Sequence, residues 1–145
     1  MGFSLIVVVD AANVMGSRPD GWWRDRAGAG ARLYGDLVRV ADLAVGDEVA
    51  AYVLVLEGAA RRAAVPAAVT ALSSEDAVAV GPGSVGVLLA DGSGDDAIVA
   101  VVAVARRLDG NCMVVTADRE LRRRCAGLGA TVAGPGWLLA RFRAR

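Results

Sequence analysis

The chain has 145 residues, 55% apolar and 22% charged with zero formal net charge, which is the make-up of one globular domain and excludes a disordered or fibrous chain. Its longest apolar run, residues 97–105, is too short to cross a bilayer, and the amino-terminal stretch lacks the basic segment of a secretory leader, so a cytoplasmic protein with no membrane association is expected. Histidine and lysine are both absent, all sixteen basic residues being arginine, which excludes histidine-based catalysis, P-loop ATPases and lysine-dependent receiver domains.

Residues 5–9 form a continuous apolar, β-branched run ending at Asp10, the pattern of a strand buried on both faces. Across 24–44, Leu33, Leu37, Ala41 and Ala44 recur at helical spacing and predict an amphipathic helix. Residues 49–56 return to strand character, and the alanine-rich stretch 58–74, interrupted by Pro66, is expected to hold a short helix. Residues 77–80 and 85–90 read as strands around the turn Gly-Pro-Gly-Ser. The segment 95–108 is valine-rich, yet a helix is expected. Ser93 and Asp96 have capping spacing, Asp95 and Asp96 charge the first turn, and Arg106, Arg107 and Gly110 lie at the end. Residues 113–116 then predict a strand, 119–127 a helix, 131–133 a short strand and 137–143 a final helix. No linker or repeat interrupts this series, so residues 1–145 read as a single domain.

Alternating strands and helices predict a three-layer, Rossmann-like α/β fold, with a mainly parallel central sheet and helices on both faces. Ligand sites in such folds lie beyond the carboxyl ends of the strands, where the strand order reverses. Asp10 ends the first strand, Asp95 and Asp96 open the helix after a middle strand, and Asp118 lies just past Thr116 at the end of a later strand. All four aspartates therefore fall on one sheet edge. Carboxylates brought together repel one another, and a hard divalent cation, Mg²⁺ or Mn²⁺, is the natural counter-charge for an all-oxygen set. Each acid also has a plainer role to weigh: Asp95 and Asp96 charge a helix start, and Asp118 could cap the helix that follows it. No cap role is evident for Asp10. Cys112 and Cys125, without a CxxC or any histidine, read as small buried apolar groups.

The runs VVVDAANVMGSRPDGWW, GSGDDAIV and VVTADREL, taken in that order, resemble the NYN-type branch of the PIN-like nuclease superfamily. The resemblance covers nearly the whole chain and matches poorly across 58–83. It implies a Mg²⁺- or Mn²⁺-dependent ribonuclease acting on single-stranded or structured RNA. In that correspondence Asp10 is the central metal ligand, and Asn13 orients ligand or substrate. Asp95 and Asp96 form the acidic pair, Thr116 takes the hydroxyl position and Asp118 is the last acid; Asp10, Asp96 and Asp118 would hold one or two metal ions, and Asp95 would bind metal or position the attacking water. Glu57, where many relatives carry aspartate, is an additional candidate acid.

The loop from Gly16 to Arg26 supplies arginine forks suited to phosphate and indoles suited to unpaired bases, which makes Arg18, Trp22 and Arg24 candidate RNA contacts. Trp22 and Trp23 are equally able to anchor the loop. The seven arginines from Arg119 onward either guide RNA or form a solvated face. A haloacid-dehalogenase-like phosphatase is excluded by Ala12, where that family needs a second acid, and dinucleotide binding by the absence of GxGxxG after the first strand. The rival from another class is a PIN-like module with weak or no catalysis that binds RNA or a protein. A homodimer stays open.

Overall fold

The computed structural model describes residues 5–71 and 73–145; the first four residues of the amino-terminal stretch, and position 72 in the segment expected to hold a short helix, lie outside it. Strand β1 (Ile6–Asp10) is buried at every position, and is followed by helix α1 (Ala11–Gly16), a 3₁₀ turn at Trp22–Arg24 and helix α2 (Arg26–Val40). A hairpin of β2 (Ala44–Val45) and β3 (Glu48–Val49) leads into β4 (Ala51–Leu56). Next come 3₁₀ turns at Gly58–Arg62 and Ala67–Val69, then β5 (Thr70–Ala71), α3 (Ser74–Ala77) and β6 (Val85–Leu89). They are followed by α4 (Gly94–Arg107), β7 (Cys112–Val115), α5 (Arg119–Gly127), β8 (Thr131–Ala133) and α6 (Pro135–Arg143).

Among the described residues, six strands form one sheet in the order β5-β6-β4-β1-β7-β8, and every neighbouring pair is parallel. The order runs from β1 outward through β4 and β6, then restarts on the other side of β1 with β7. The reversal lies between β1 and β7, whose following helices α2 and α5 pack on opposite faces, and sheets of this kind bind ligands at such a point. This is a three-layer α/β architecture, a parallel central sheet with helices on both faces.

The two-residue period of a strand decides which core each side chain joins. Val7 and Val9 of β1 pack with Leu33 and Leu37 of α2, Val14 of α1 and Leu138 of α6. Ile6 and Val8 point the other way, into the layer of Ile98, Val101 and Val102 from α4 with Leu121 and Cys125 from α5. By the same alternation Asp10 continues the α4–α5 side. Glu57 follows Leu56 of the α2-side core, and Thr116 follows Val115 of the same core, so both also turn toward α4 and α5.

Three features depart from the expected elements. Residues 77–80 were expected as a strand, but 74–77 form α3, because the Ser73 hydroxyl accepts from the Asp76 amide at 3.1 Å and Glu75 and Asp76 charge the first turn. Helix α1 and the edge strand β5 are too short to leave a periodicity. The α2 helix stops at Val40, four residues before the expected end, and the chain enters the β2–β3 hairpin.

Leu54, fully buried in the central strand β4, is expected on replacement by alanine to lower unfolding stability by about 2–5 kcal/mol, read as a lower urea midpoint at unchanged slope. Val38→Ala on α2, where Val38 is 51% exposed, is expected to change stability by less than about 0.5 kcal/mol.

Candidate active site

Asp10 is the buried acid of the sheet edge, only 6% exposed. Its Oδ2 accepts from the Thr116 hydroxyl at 2.9 Å and its Oδ1 from the Asn13 amide at 3.3 Å. The second contact makes Asp10 the cap of α1, so the expectation that it had no cap role is corrected: α1 was too short to be read from the sequence. Burial pushes the Asp10 carboxyl above its ordinary value against the pull of these hydrogen bonds, and the charges of Asp95 and Glu57 raise it further.

Thr116 is fully buried and works in both directions, since its Oγ1 also accepts from the Asp118 amide at 3.1 Å. Asp118 in turn caps α5, its Oδ1 accepting from the Leu121 amide at 2.8 Å. The Asn13 Oδ1 accepts from the Ala117 amide at 2.8 Å, which clasps the β7–α5 loop onto α1. Asn13 therefore has a fixed structural task that the expected ligand-orienting role did not include.

Glu57 comes to the same edge from the end of β4, and its Oε2 accepts from the Gly94 amide at 2.8 Å, the first residue of α4. A side chain at position 94 would bring a Cβ to 3.0 Å from the Glu57 carboxyl carbon, so glycine is what lets the acid approach the helix start. The next residue, Asp95, is partly buried. Burial raises its carboxyl above the ordinary value, the charges of Asp118, Glu57 and Asp96 add to the rise, and Arg124 opposes it. Asp96 faces elsewhere: it is 74% exposed at the side chain and pairs with Arg124 at 3.0 Å. The acidic pair thus divides, with Asp95 toward Asp10 and Asp96 toward α5.

Oxygen is the only donor type at this edge, which suits Mg²⁺ or Mn²⁺, and the repulsion among Asp10, Glu57, Asp95 and Asp118 is what a divalent cation would offset. Among the described residues no three acidic or thiol side chains converge into a ready-made ligand set. Asp10, Glu57 and Asp118 each spend oxygens on protein donors instead. The donor chemistry fits a divalent cation: among the described residues Asp118 and Glu57 each accept through one oxygen only, whereas at Asp10 a cation would share oxygens that already accept from Thr116 and Asn13. The thiols stay outside this chemistry: burial pushes Cys112 to about 12 and Cys125 to about 11, so both remain protonated and inert at neutral pH.

The outer candidates separate in the same way. Arg18, a candidate RNA contact, has its guanidinium held by Asp36 at 2.7 Å and lying over the Phe142 ring at 5.2 Å, against α2 and α6. Trp22 packs half-buried on the α2-side core, whereas Trp23 is 56% exposed, with the Arg24 guanidinium 5.8 Å from its ring centre. Of the carboxyl-terminal arginines, Arg123 and Arg124 pair with Glu120 and Asp96, and Arg141 donates to the Leu43 and Ala44 carbonyls. Arg145 pairs with Asp42. Sequence reasoning passed over Gly94 and the arginines of the 58–62 turn, because their importance rests on contacts across the sheet.

Raised carboxyls at Asp10 and Asp95 mean that the folded chain holds protons more tightly than the unfolded one between their ordinary and raised values. The metal-free protein is therefore expected to gain thermal stability as pH falls from neutral into that window, and to lose it as pH rises through the raised values. Asp10→Asn, which removes the charge and keeps an oxygen for the Asn13 amide, is expected to raise Tm at pH 7 and flatten this dependence in a chelator-treated melting series.

No family model and no curated protein matches the chain. Among solved structures it is similar to a single-site mutant of Rae1 (YacP) from Bacillus subtilis, with 16% sequence identity and a TM-score of 0.65, over 96% of this chain and 74% of that one. A likeness at this identity speaks for the backbone alone: an α/β fold with a parallel central sheet flanked by helices, consistent with a PIN-like fold.

Proposed function

We propose that this chain is a metal-dependent ribonuclease that hydrolyses RNA phosphodiester bonds at the carboxyl edge of its sheet. The observation that carries the proposal is Asp10, a buried carboxylate at the strand-order reversal, fixed by Thr116 and Asn13 yet repelled by Asp95 and Glu57. Burying a charge among like charges is costly unless something compensates it. The sequence motifs shared with NYN-type nucleases and the Rae1-like backbone support the same reading.

Asp10, Asp95 and Asp118 are the inner acids of the proposed centre, Asp96 an outer one, and Glu57 a fifth acid that also holds the start of α4. A Mg²⁺ or Mn²⁺ ion bound there would polarise the scissile phosphate and lower the pKa of the attacking water. Thr116 is a positioning residue: its hydroxyl aligns Asp10 and its oxygen receives the Asp118 amide, so a single side chain sets the spacing of two acids. Asn13 keeps the loop that carries Asp118 against α1. Trp23 offers a face to an unpaired base and Arg24 a fork to phosphate, while Trp22 anchors their turn. Arg18 is assigned to packing.

One observation favours the second reading, a PIN-like module that binds RNA or a protein without efficient catalysis. The acids already have protein partners, and among the described residues no ligand set stands preassembled. Cutting of a labelled single-stranded RNA with Mn²⁺ separates the two. The wild type is expected to cut and Asp10→Asn to lose cutting, whereas RNA bound but uncut by the wild type would favour the module. Thr116→Ala is expected to lower the cutting rate by about 10–100-fold, the range for losing a partner that orients a metal ligand. Equal cutting by all three proteins would sink the nuclease proposal.

A further inference from the structure

At the carboxyl edge of β4 the chain crosses the sheet. Glu57 turns toward α4, and Gly58 then takes a left-handed conformation at φ 57°, which glycine adopts without steric cost. The 3₁₀ turn Gly58–Arg62 is thereby carried to the opposite, α2 side, where Ala60 is buried in the core with Leu33 and Leu37 of α2, and Gly30 approaches the Ala60 carbonyl. A cavity of about 420 Å³ opens there, lined by Gly58, Ala59, Arg61, Arg62 and Leu89.

This cavity is cationic and lightly furnished. The nearest carboxylate to Arg61 is Asp91 at 4.0 Å, whose side chain is fully exposed, and an ion pair of that kind contributes little. Among the described residues Arg62 has no carboxylate within 4.0 Å. Gly58, Ala59, Arg61 and Arg62 are all exposed. Two adjacent positive charges that share one distant, exposed acid, on a turn pinned by its buried alanine, are suited to an anion. Their planar forks match phosphate.

We infer that Arg61 and Arg62 bind a backbone phosphate of the RNA strand, one that flanks the phosphate at the acids, so that the strand is draped across the top of β4 from the α4 face to the α2 face. This rests on the ribonuclease reading of the acid edge. The acids repel a polyanion, and the arginine turn, one residue along the chain from Glu57, supplies the opposing attraction on the other side of the same strand end. Contacts of this type set affinity and register and are blind to base identity.

The test is RNA affinity as a function of salt, measured with a labelled single-stranded oligoribonucleotide in the Asp10→Asn background, where no cutting interferes. Arg61→Ala with Arg62→Ala is expected to weaken binding and to lower the slope of log affinity against log salt by about 0.7, the value for one neutralised single-strand phosphate. Arg61→Lys with Arg62→Lys is expected to recover most of that slope. Arg107→Ala, an exposed arginine at the far end of α4, is expected to match the parent, and all variants to melt at its temperature. Parent-like affinity and slope in the double alanine variant, with wild-type cutting intact, would overturn this inference alone. A thermal shift by inorganic phosphate that the double variant loses, with RNA affinity unchanged, would identify a free-phosphate site and also overturn it. Failure of the parent to bind RNA and of the wild type to cut it would overturn both proposals together.

Discussion

The hydrogen bond from Thr116 to Asp10 joins the ends of β1 and β7 where the strand order reverses, and the whole sheet edge depends on it. A carboxylate that is 6% exposed has given up most of its hydration, and such a group persists only when donors are aimed at it. Thr116 and the Asn13 amide supply them. Because Thr116 itself receives the Asp118 amide and Asn13 receives the Ala117 amide, the contacts that stabilise Asp10 also fix the loop that brings Asp118 to the edge.

The acids of the edge are also the caps of its helices. Asp10 caps α1, Asp118 caps α5 and Glu57 meets the first amide of α4. Helix starts are positive, and each holds its carboxylate in place. The same carboxylates are the ones a divalent cation would use. Structural and chemical demands therefore fall on the same carboxylates, most sharply at Asp10, whose two oxygens both accept from protein donors, whereas Asp118 and Glu57 each accept through one oxygen. Asp96, drawn away by Arg124, escapes that double demand.

Strand alternation sorts charge by face. Asp10, Glu57 and Thr116 lie on the α4–α5 side of the sheet, and the turn after Gly58 delivers Arg61 and Arg62 to the α2 side. Opposite charges thus meet across the width of one strand end without neutralising each other in a salt bridge. A close ion pair between them would have consumed both.

Much was legible from the sequence alone, because the signals were local. The valine runs of β1 and β4, the capped start and long apolar face of α4, and the Thr116–Asp118 spacing are properties of a few neighbouring residues, and parallel α/β topology follows from their alternation. That Asp10, Asp95 and Asp118 share an edge follows from the rule that strand ends collect on one side. Short-range reading failed where elements spanned fewer than two periods, as in α1, β5 and α3. It also failed where a long side chain chose among distant partners. Tertiary structure alone sent Arg18 to Asp36, Asp96 to Arg124 and Glu57 to Gly94, separations of 18, 28 and 37 residues. It also paired Asp10 with a hydroxyl 106 residues away. Periodicity and capping act within a few residues of chain, whereas the partner of a flexible charged group is set by which surfaces the folded layers bring within about 3 Å of it.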